Sequence, residues 1–182
     1  MMKRIYMIRH CKAEGQEEHA KLTSEGDSQA LMLRDYFENV KIDKIVSSHY
    51  VRAVQSIEPL GIYKGIEIIK DTRLSERILS TEDYSDWLDK LNMTFQDKSL
   101  KFIGGESSNE ALFRISSVIE EVISSPEENV MLVTHGAIMS LLLNSIDENF
   151  GFDQWQTITN PDIYLIEVQE GQKTFKRIWN SI

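Results

Sequence analysis

The sequence predicts a single α/β domain, a three-layer sandwich whose mostly parallel central sheet is flanked by helices. Three observations carry that reading. Short apolar runs, Ile5 to Ile8, Lys44 to Val46 and Asn129 to Val133, are too short for helices and read as buried strands. Each is followed by a segment whose apolar residues return at helical spacing, the alternation that builds a parallel sheet. The chain has 182 residues and 41% hydrophobic content, enough for one real core and too little for two.

In order, the first strand stops at Arg9-His10, and a polar loop follows to Lys21. Leu22 to Gly26 opens a helix that Thr23 or Ser24 can cap, with Ala30, Leu33 and Phe37 on one face. Lys44-Ile45-Val46 ends at Ser47-Ser48, and Val51, Val54, Ile57 and Leu60 then space as one helical face, which puts Arg52 in that helix's first turn. Ile66 to Lys70 reads as a third strand. The stretch from about 71 to 105 is the least regular, with an amphipathic piece around Tyr84, Trp87, Leu88 and Leu91, and reads as a cap-like excursion over the strand ends. Ser107 and Glu110 have capping-box spacing at the head of a helix striped by Leu112, Ile115, Ile119, Val122 and Ile123, which Pro126 closes. Asn129 to Thr134 is a strand ending at His135-Gly136, and Ala137 to Ile146 is the helix after it. Asp162 to Val168 and Phe175 to Trp179 read as two last strands, with Gly171 in the turn between them. The chain shows no internal repeat and no linker.

Composition narrows the function classes. With 20 basic and 29 acidic residues the formal charge is −9, which disfavours nucleic acid or an anionic membrane as partner, so an anionic substrate needs a local positive pocket. The one cysteine, Cys11, excludes a disulfide framework and a cysteine-rich zinc site. No stretch is apolar enough for a signal peptide or a membrane span, so a cytoplasmic location is expected.

Arg9, His10, Arg52 and His135 fall at the carboxyl ends of three separate predicted strands, where ligands bind in open α/β sheets. Taken singly, Arg9-His10 reads as a solvated strand end and Arg52 as a solvent-facing helix arginine. Together, two guanidinium groups and two imidazoles beside the helix start at Gly136 describe a phosphoryl site. Guanidinium forks and free amides spread over the phosphoryl oxygens, one imidazole attacks in line, and a protonated carboxylic acid supplies the leaving oxygen with a proton.

The motifs Arg9-His10, Ser47-Ser48-x-x-x-Arg52-Ala53-x-Gln55, Leu74-x-Glu76, Gly105-Glu106-Ser107 and Thr134-His135-Gly136 resemble those of the histidine phosphatase superfamily, the phosphoglycerate-mutase-like proteins. Leu22-Thr23-x-x-Gly26-x-x-Gln29-Ala30 is similar to the family's first helix. The resemblance spans the chain and implies one histidine phosphatase domain over 1–182. It implies a phosphomonoester phosphatase that uses no metal and no cofactor. In it His10 becomes phosphohistidine, Arg9, Arg52 and His135 bind the phosphoryl group, Glu76 donates the proton, and the amide of Gly136 adds a contact. The implied partner is a small-molecule phosphate ester; the ester's alcohol and the oligomeric state stay open.

The departures from the pattern are informative. Cys11 replaces the usual small residue after the nucleophile, either narrowing the pocket and exposing it to oxidants or merely packing. Lys12 stands where Glu or Gln is common, as a selector for a polyanionic substrate or a solvated loop lysine. Gln16 stands at a position often held by a phosphate-contacting Asn, and Glu82 and Asp83 are alternatives to Glu76 as the acid. The rival functions are a phosphoglycerate mutase and a noncatalytic phosphate-ester binder of the same fold. A cysteine phosphatase is excluded, because the sixth residue after Cys11 is Glu17 rather than Arg, and no His-x-His spacing suggests a metal phosphatase.

Overall fold

The apolar run that opens the chain becomes strand β1 (Lys3–Arg9) in the computed structural model, which describes residues 2–179. Positions 1 and 180–182, part of the expected 1–182 domain, lie outside the described residues. The other strands are β2 (Lys44–Ser47), β3 (Ile68–Lys70), β4 (Asn129–Thr134), β5 (Asp162–Gln169) and β6 (Gln172–Arg177). The helices are α1 (Ser24–Tyr36), α2 (Val51–Lys64), α3 (Trp87–Gln96), α4 (Ser108–Ser124), α5 (Gly136–Ile146) and α6 (Phe152–Gln156). The sheet order is β3-β2-β4-β1-β5-β6; the first four are mutually parallel, β5 is antiparallel to β1, and β6 is antiparallel to β5.

Period-two alternation along the strands makes the layers. Tyr6, Ile8, Met131 and Val133 join one apolar cluster with Leu33 of α1 and Ile57 of α2, while Ile5, Met7, Val130 and Leu132 join another with Ile115 of α4 and Leu142 of α5. The sheet therefore lies between α1 and α2 on one face and α4 and α5 on the other, the three-layer sandwich expected. Helix α5 is buried from Ile138 to Asn144, which explains why its sequence is apolar nearly all round. Among the described residues no helix is long and apolar enough to cross a membrane.

Several boundaries move. The third strand starts at Ile68, not Ile66, because Gly65 takes a left-handed φ of 66° and the Ile66 amide turns back onto the Gly61 carbonyl to finish α2. The last strand runs Gln172–Arg177 rather than 175–179, since Glu170 and Gly171, both at positive φ, form a two-residue hairpin turn. Helix α6 went unpredicted, its five residues being too few to show a period. Inside the excursion the amphipathic piece is the start of α3, and the segment before it carries a short 3-10 turn at Thr72–Leu74.

The first-helix motif positions the loop after His10. The Lys12 carbonyl accepts from Thr23 N, the Lys12 amide donates to Gln29 Oε1 at 2.8 Å, and a Cβ on Gly26 would run into the Lys12 carbonyl. Gln55 accepts from the Leu22 amide at 3.0 Å, and Ser56 Oγ accepts from the Cys11 amide at 2.8 Å. Helices α1 and α2 thus fix the backbone on which His10 stands.

Candidate active site

Strand order brings the sequence-predicted residues together. β2, β4 and β1 are neighbours, Arg9 pairs in register with Thr134, and Ser47 with Val133, so their carboxyl ends share one edge. There His10 N donates to the Thr134 carbonyl and Ser48 N to the Val133 carbonyl.

The imidazoles of His10 and His135 lie 5.0 Å apart, inclined by 63°. Between them reaches Arg52, fully buried although charged: its Nε donates to His10 Nε2 at 3.2 Å and its Nη2 to His135 Nδ1 at 3.3 Å, and Nη1 donates to the Glu17 carbonyl at 2.7 Å. A guanidinium only donates, so these two ring nitrogens carry lone pairs. The complementary protons follow: His10 Nδ1–H donates to the Cys11 carbonyl at 2.7 Å, and His135 Nε2–H to Ser48 Oγ at 2.8 Å. Burial drives the His10 imidazole down to about 3; the Cys11 carbonyl opposes this, and Arg52 and Arg9 add to it. His135 is likewise held well below the usual histidine range, by burial and then by His10 and the arginines. Both rings are neutral near pH 7.

This has a stability consequence. Below about 6.5 the unfolded chain protonates these histidines while the folded chain does not, so stability falls with decreasing pH through the window from about 6.5 to about 3. His10 contributes at most about 1.4 kcal/mol per pH unit. Urea unfolding at pH 6.5 and pH 5 is expected to show a larger acid loss for wild type than for His10→Ala; an equal loss would refute the assignment.

Arg9 donates through Nη1 to the Ile158 carbonyl at 2.8 Å, and its buried Nε has no hydrogen-bond partner among the described residues. All hydrogen bonds of Arg9 and Arg52 go to neutral acceptors, and burial lowers the pKa of both. Two desolvated cations without a bound carboxylate make an electrostatic seat for a dianion. Gly136 belongs to it sterically, for a Cβ there would lie 3.0 Å from Arg9 Nε.

Glu76 faces the same helix start. Its Oε2 accepts from Ala137 N at 3.1 Å, and its Oε1 from Ile138 N at 3.0 Å and Arg77 N at 2.8 Å. Arg9, Gln16, Glu76 and Arg77 form the polar lining of a cavity of about 360 Å³ that the excursion covers. Glu82 and Asp83 are exposed and absent from that lining, as is Lys12, whose ammonium pairs with Glu25 at 2.5 Å on the surface. Cys11 is buried in the apolar cluster beneath α1 and α2, with its thiol pushed up to about 12 by burial, so it packs.

Sequence reasoning missed the supports. Arg114 pairs with Glu106 and donates to the carbonyls of Arg73, Ser75 and Glu76, clamping the segment that presents Glu76. Tyr50 lies 4.8 Å from the His135 ring and 4.8 Å from the Arg52 guanidinium carbon, and Asn160 donates to the His10 carbonyl at 2.7 Å. Only Tyr50, an aromatic between Ser48 and Arg52, left a signal that could have been read. No group of three or more His, Cys, Asp or Glu side chains among the described residues could hold a metal ion.

A family model described as the histidine phosphatase superfamily, branch 1, matches residues 5–181. The Hydrogenobacter thermophilus protein named "Putative phosphoserine phosphatase 2" is 27% identical over 95% of this chain and 93% of its own. The Shigella dysenteriae protein named "Probable phosphoglycerate mutase GpmB" is 25% identical over 93% of this chain and 86% of its own. A mycobacterial glucosyl-3-phosphoglycerate phosphatase superposes with a TM-score of 0.79 at 21% identity, covering 100% of both chains.

Proposed function

This chain belongs to the histidine phosphatase superfamily, and on that premise we propose that it is a metal-independent phosphomonoester phosphatase working through phosphohistidine on His10. The observation that supports this reading is Arg52, a buried cation that donates to the free nitrogens of both imidazoles, bonds that phosphoryl oxygens can replace. On this reading the substrate displaces the Arg52 bond from His10 Nε2, and the freed lone pair attacks phosphorus in line. The His10–P bond forms as the ester P–O bond breaks, and Glu76 gives its proton to the leaving alcohol. Arg9, Arg52 and the Gly136 amide hold the equatorial oxygens, and His135 joins them by taking up a proton on Nδ1, which the charge of the bound dianion favours.

In the second half a water attacks the phosphohistidine, Glu76 takes the water's proton, and His10 leaves neutral with inorganic phosphate formed. The hydrogen bond from His10 Nδ1–H to the Cys11 carbonyl keeps the reacting nitrogen aimed through both halves. Gln16 sits on the cavity wall, where it meets the ester's alcohol, and Lys12 takes no part in this reading.

The test is turnover of an alkyl phosphate in excess chelator with an alkaline quench, which preserves phosphohistidine. The expected result is inorganic phosphate release together with a phosphoryl adduct on the peptide that carries His10. Phosphate release with the adduct elsewhere would overturn the mechanism.

A further inference from the structure

Beyond its polar end, the cavity has an apolar wall that the chemistry just described does not use. Leu79, Trp87, Leu91 and Trp155 line it, from the excursion, α3 and α6. Trp87 and Trp155 meet edge to face with centroids 6.4 Å apart, Trp155 stacks on Phe152 at 5.4 Å and 25°, and Phe152 meets Phe95 of α3 at 6.0 Å. This aromatic chain joins α3 to α6 and backs the two tryptophans from behind. Yet Trp87 is 50% exposed, an indole left half in water at the edge of a concave site. Such a surface is buried to advantage by a flat apolar partner.

The cations nearby are largely engaged. Arg9 belongs to the phosphoryl end, and Arg77 spends Nη1 on the hydroxyls of Thr94 and Ser108 and Nη2 on the Glu106 carbonyl, within the excursion's own packing, which leaves its buried Nε as the one guanidinium nitrogen without a partner among the described residues. We propose that the alcohol of the substrate carries a flat, uncharged ring that lies against Trp87 and Trp155, so that ring-bearing phosphomonoesters are preferred over small acyclic anionic ones. This rests on the phosphatase reading, and it adds the substrate class.

The experiment compares kcat/KM for benzyl phosphate, glucose 6-phosphate, ethyl phosphate and 3-phosphoglycerate, all esters of aliphatic alcohols, so that leaving-group acidity does not decide the order. Benzyl phosphate is expected to exceed both ethyl phosphate and 3-phosphoglycerate by about tenfold, the size of one stacked ring. An advantage for benzyl phosphate supports the flat ring, and one for glucose 6-phosphate alone, whose pyranose is a puckered, hydroxylated chair, overturns it. Trp87→Ala is expected to erase most of that ratio through KM, and Trp87→Phe to restore it. Ethyl phosphate or 3-phosphoglycerate as the equal or better substrate, or a ratio unmoved in Trp87→Ala, overturns the proposal.

Calorimetric binding of benzylphosphonate against ethylphosphonate keeps the two readings apart, because it needs no turnover. If no ester is hydrolysed but benzylphosphonate binds about tenfold tighter, the wall stands and the phosphatase reading falls. Equal binding of the two phosphonates removes the wall for an aromatic ring whatever the kinetics show.

Discussion

His10→Ala is expected to lower kcat/KM for p-nitrophenyl phosphate by about 10³-fold or more, a loss above about 4 kcal/mol of transition-state stabilisation. Among the described residues the imidazole packed against His10 is His135, 5.0 Å away between ring centroids and inclined by 63°, so it does not fill the in-line position that His10 leaves. Alanine also leaves the cations in place, so phosphate should still bind competitively while turnover is lost. The measurement is a chelator-treated assay of both proteins, with circular dichroism to show that the variant folds. Activity within tenfold of wild type would end the phosphohistidine mechanism. If wild type itself fails to turn over, a phosphoglycerate isomerisation assay separates the mutase reading from a noncatalytic binder.

How much of this site the sequence displayed depends on how local each cause is. Strand ends were legible because a buried parallel strand is a continuous apolar run that stops where the polar site begins, as at Ile8-Arg9 and Val133-Thr134. Arg52 was legible because the spacing of Val51, Val54, Ile57 and Leu60 sets it in the first turn of α2. Glu76 had no such local cause, since its segment has no period and is held by Arg114, 38 residues away; only the family motif pointed to it. Asn160 is farther still, 150 residues from the His10 carbonyl that it holds. Lys12 shows the opposite case, a charge two residues from His10 in sequence whose side chain the fold sends outward to Glu25. The apolar wall was half visible, because Trp87 and Leu91 lay in the amphipathic piece, but its partner Trp155 sits on a helix too short to be read.

Glu76→Gln separates proton donation from charge and shape, and the expected result is a split between substrates. For an alkyl phosphate, whose leaving alkoxide needs a proton, kcat/KM should fall by about 10²- to 10⁴-fold. For p-nitrophenyl phosphate, whose phenolate leaves unaided, the fall should stay below about tenfold. The comparison belongs on kcat/KM, which reads only through the first irreversible step, so that a slower hydrolysis of phosphohistidine does not blur it. The geometry adds a second readout. Both carboxylate oxygens accept backbone amides, from Ala137, Ile138 and Arg77, whereas a carboxamide offers one acceptor and turns an N–H₂ toward an N–H. The variant should therefore lose about 1–2 kcal/mol of stability by urea unfolding, from one amide left unpaired at the start of α5. On the proposed mechanism those same amides hold the carboxylate that is left once the proton has gone to the alcohol, a charge that a helix N-terminus favours. Equal kinetic losses on both esters would take the donor role from Glu76 and leave it as a cap of α5.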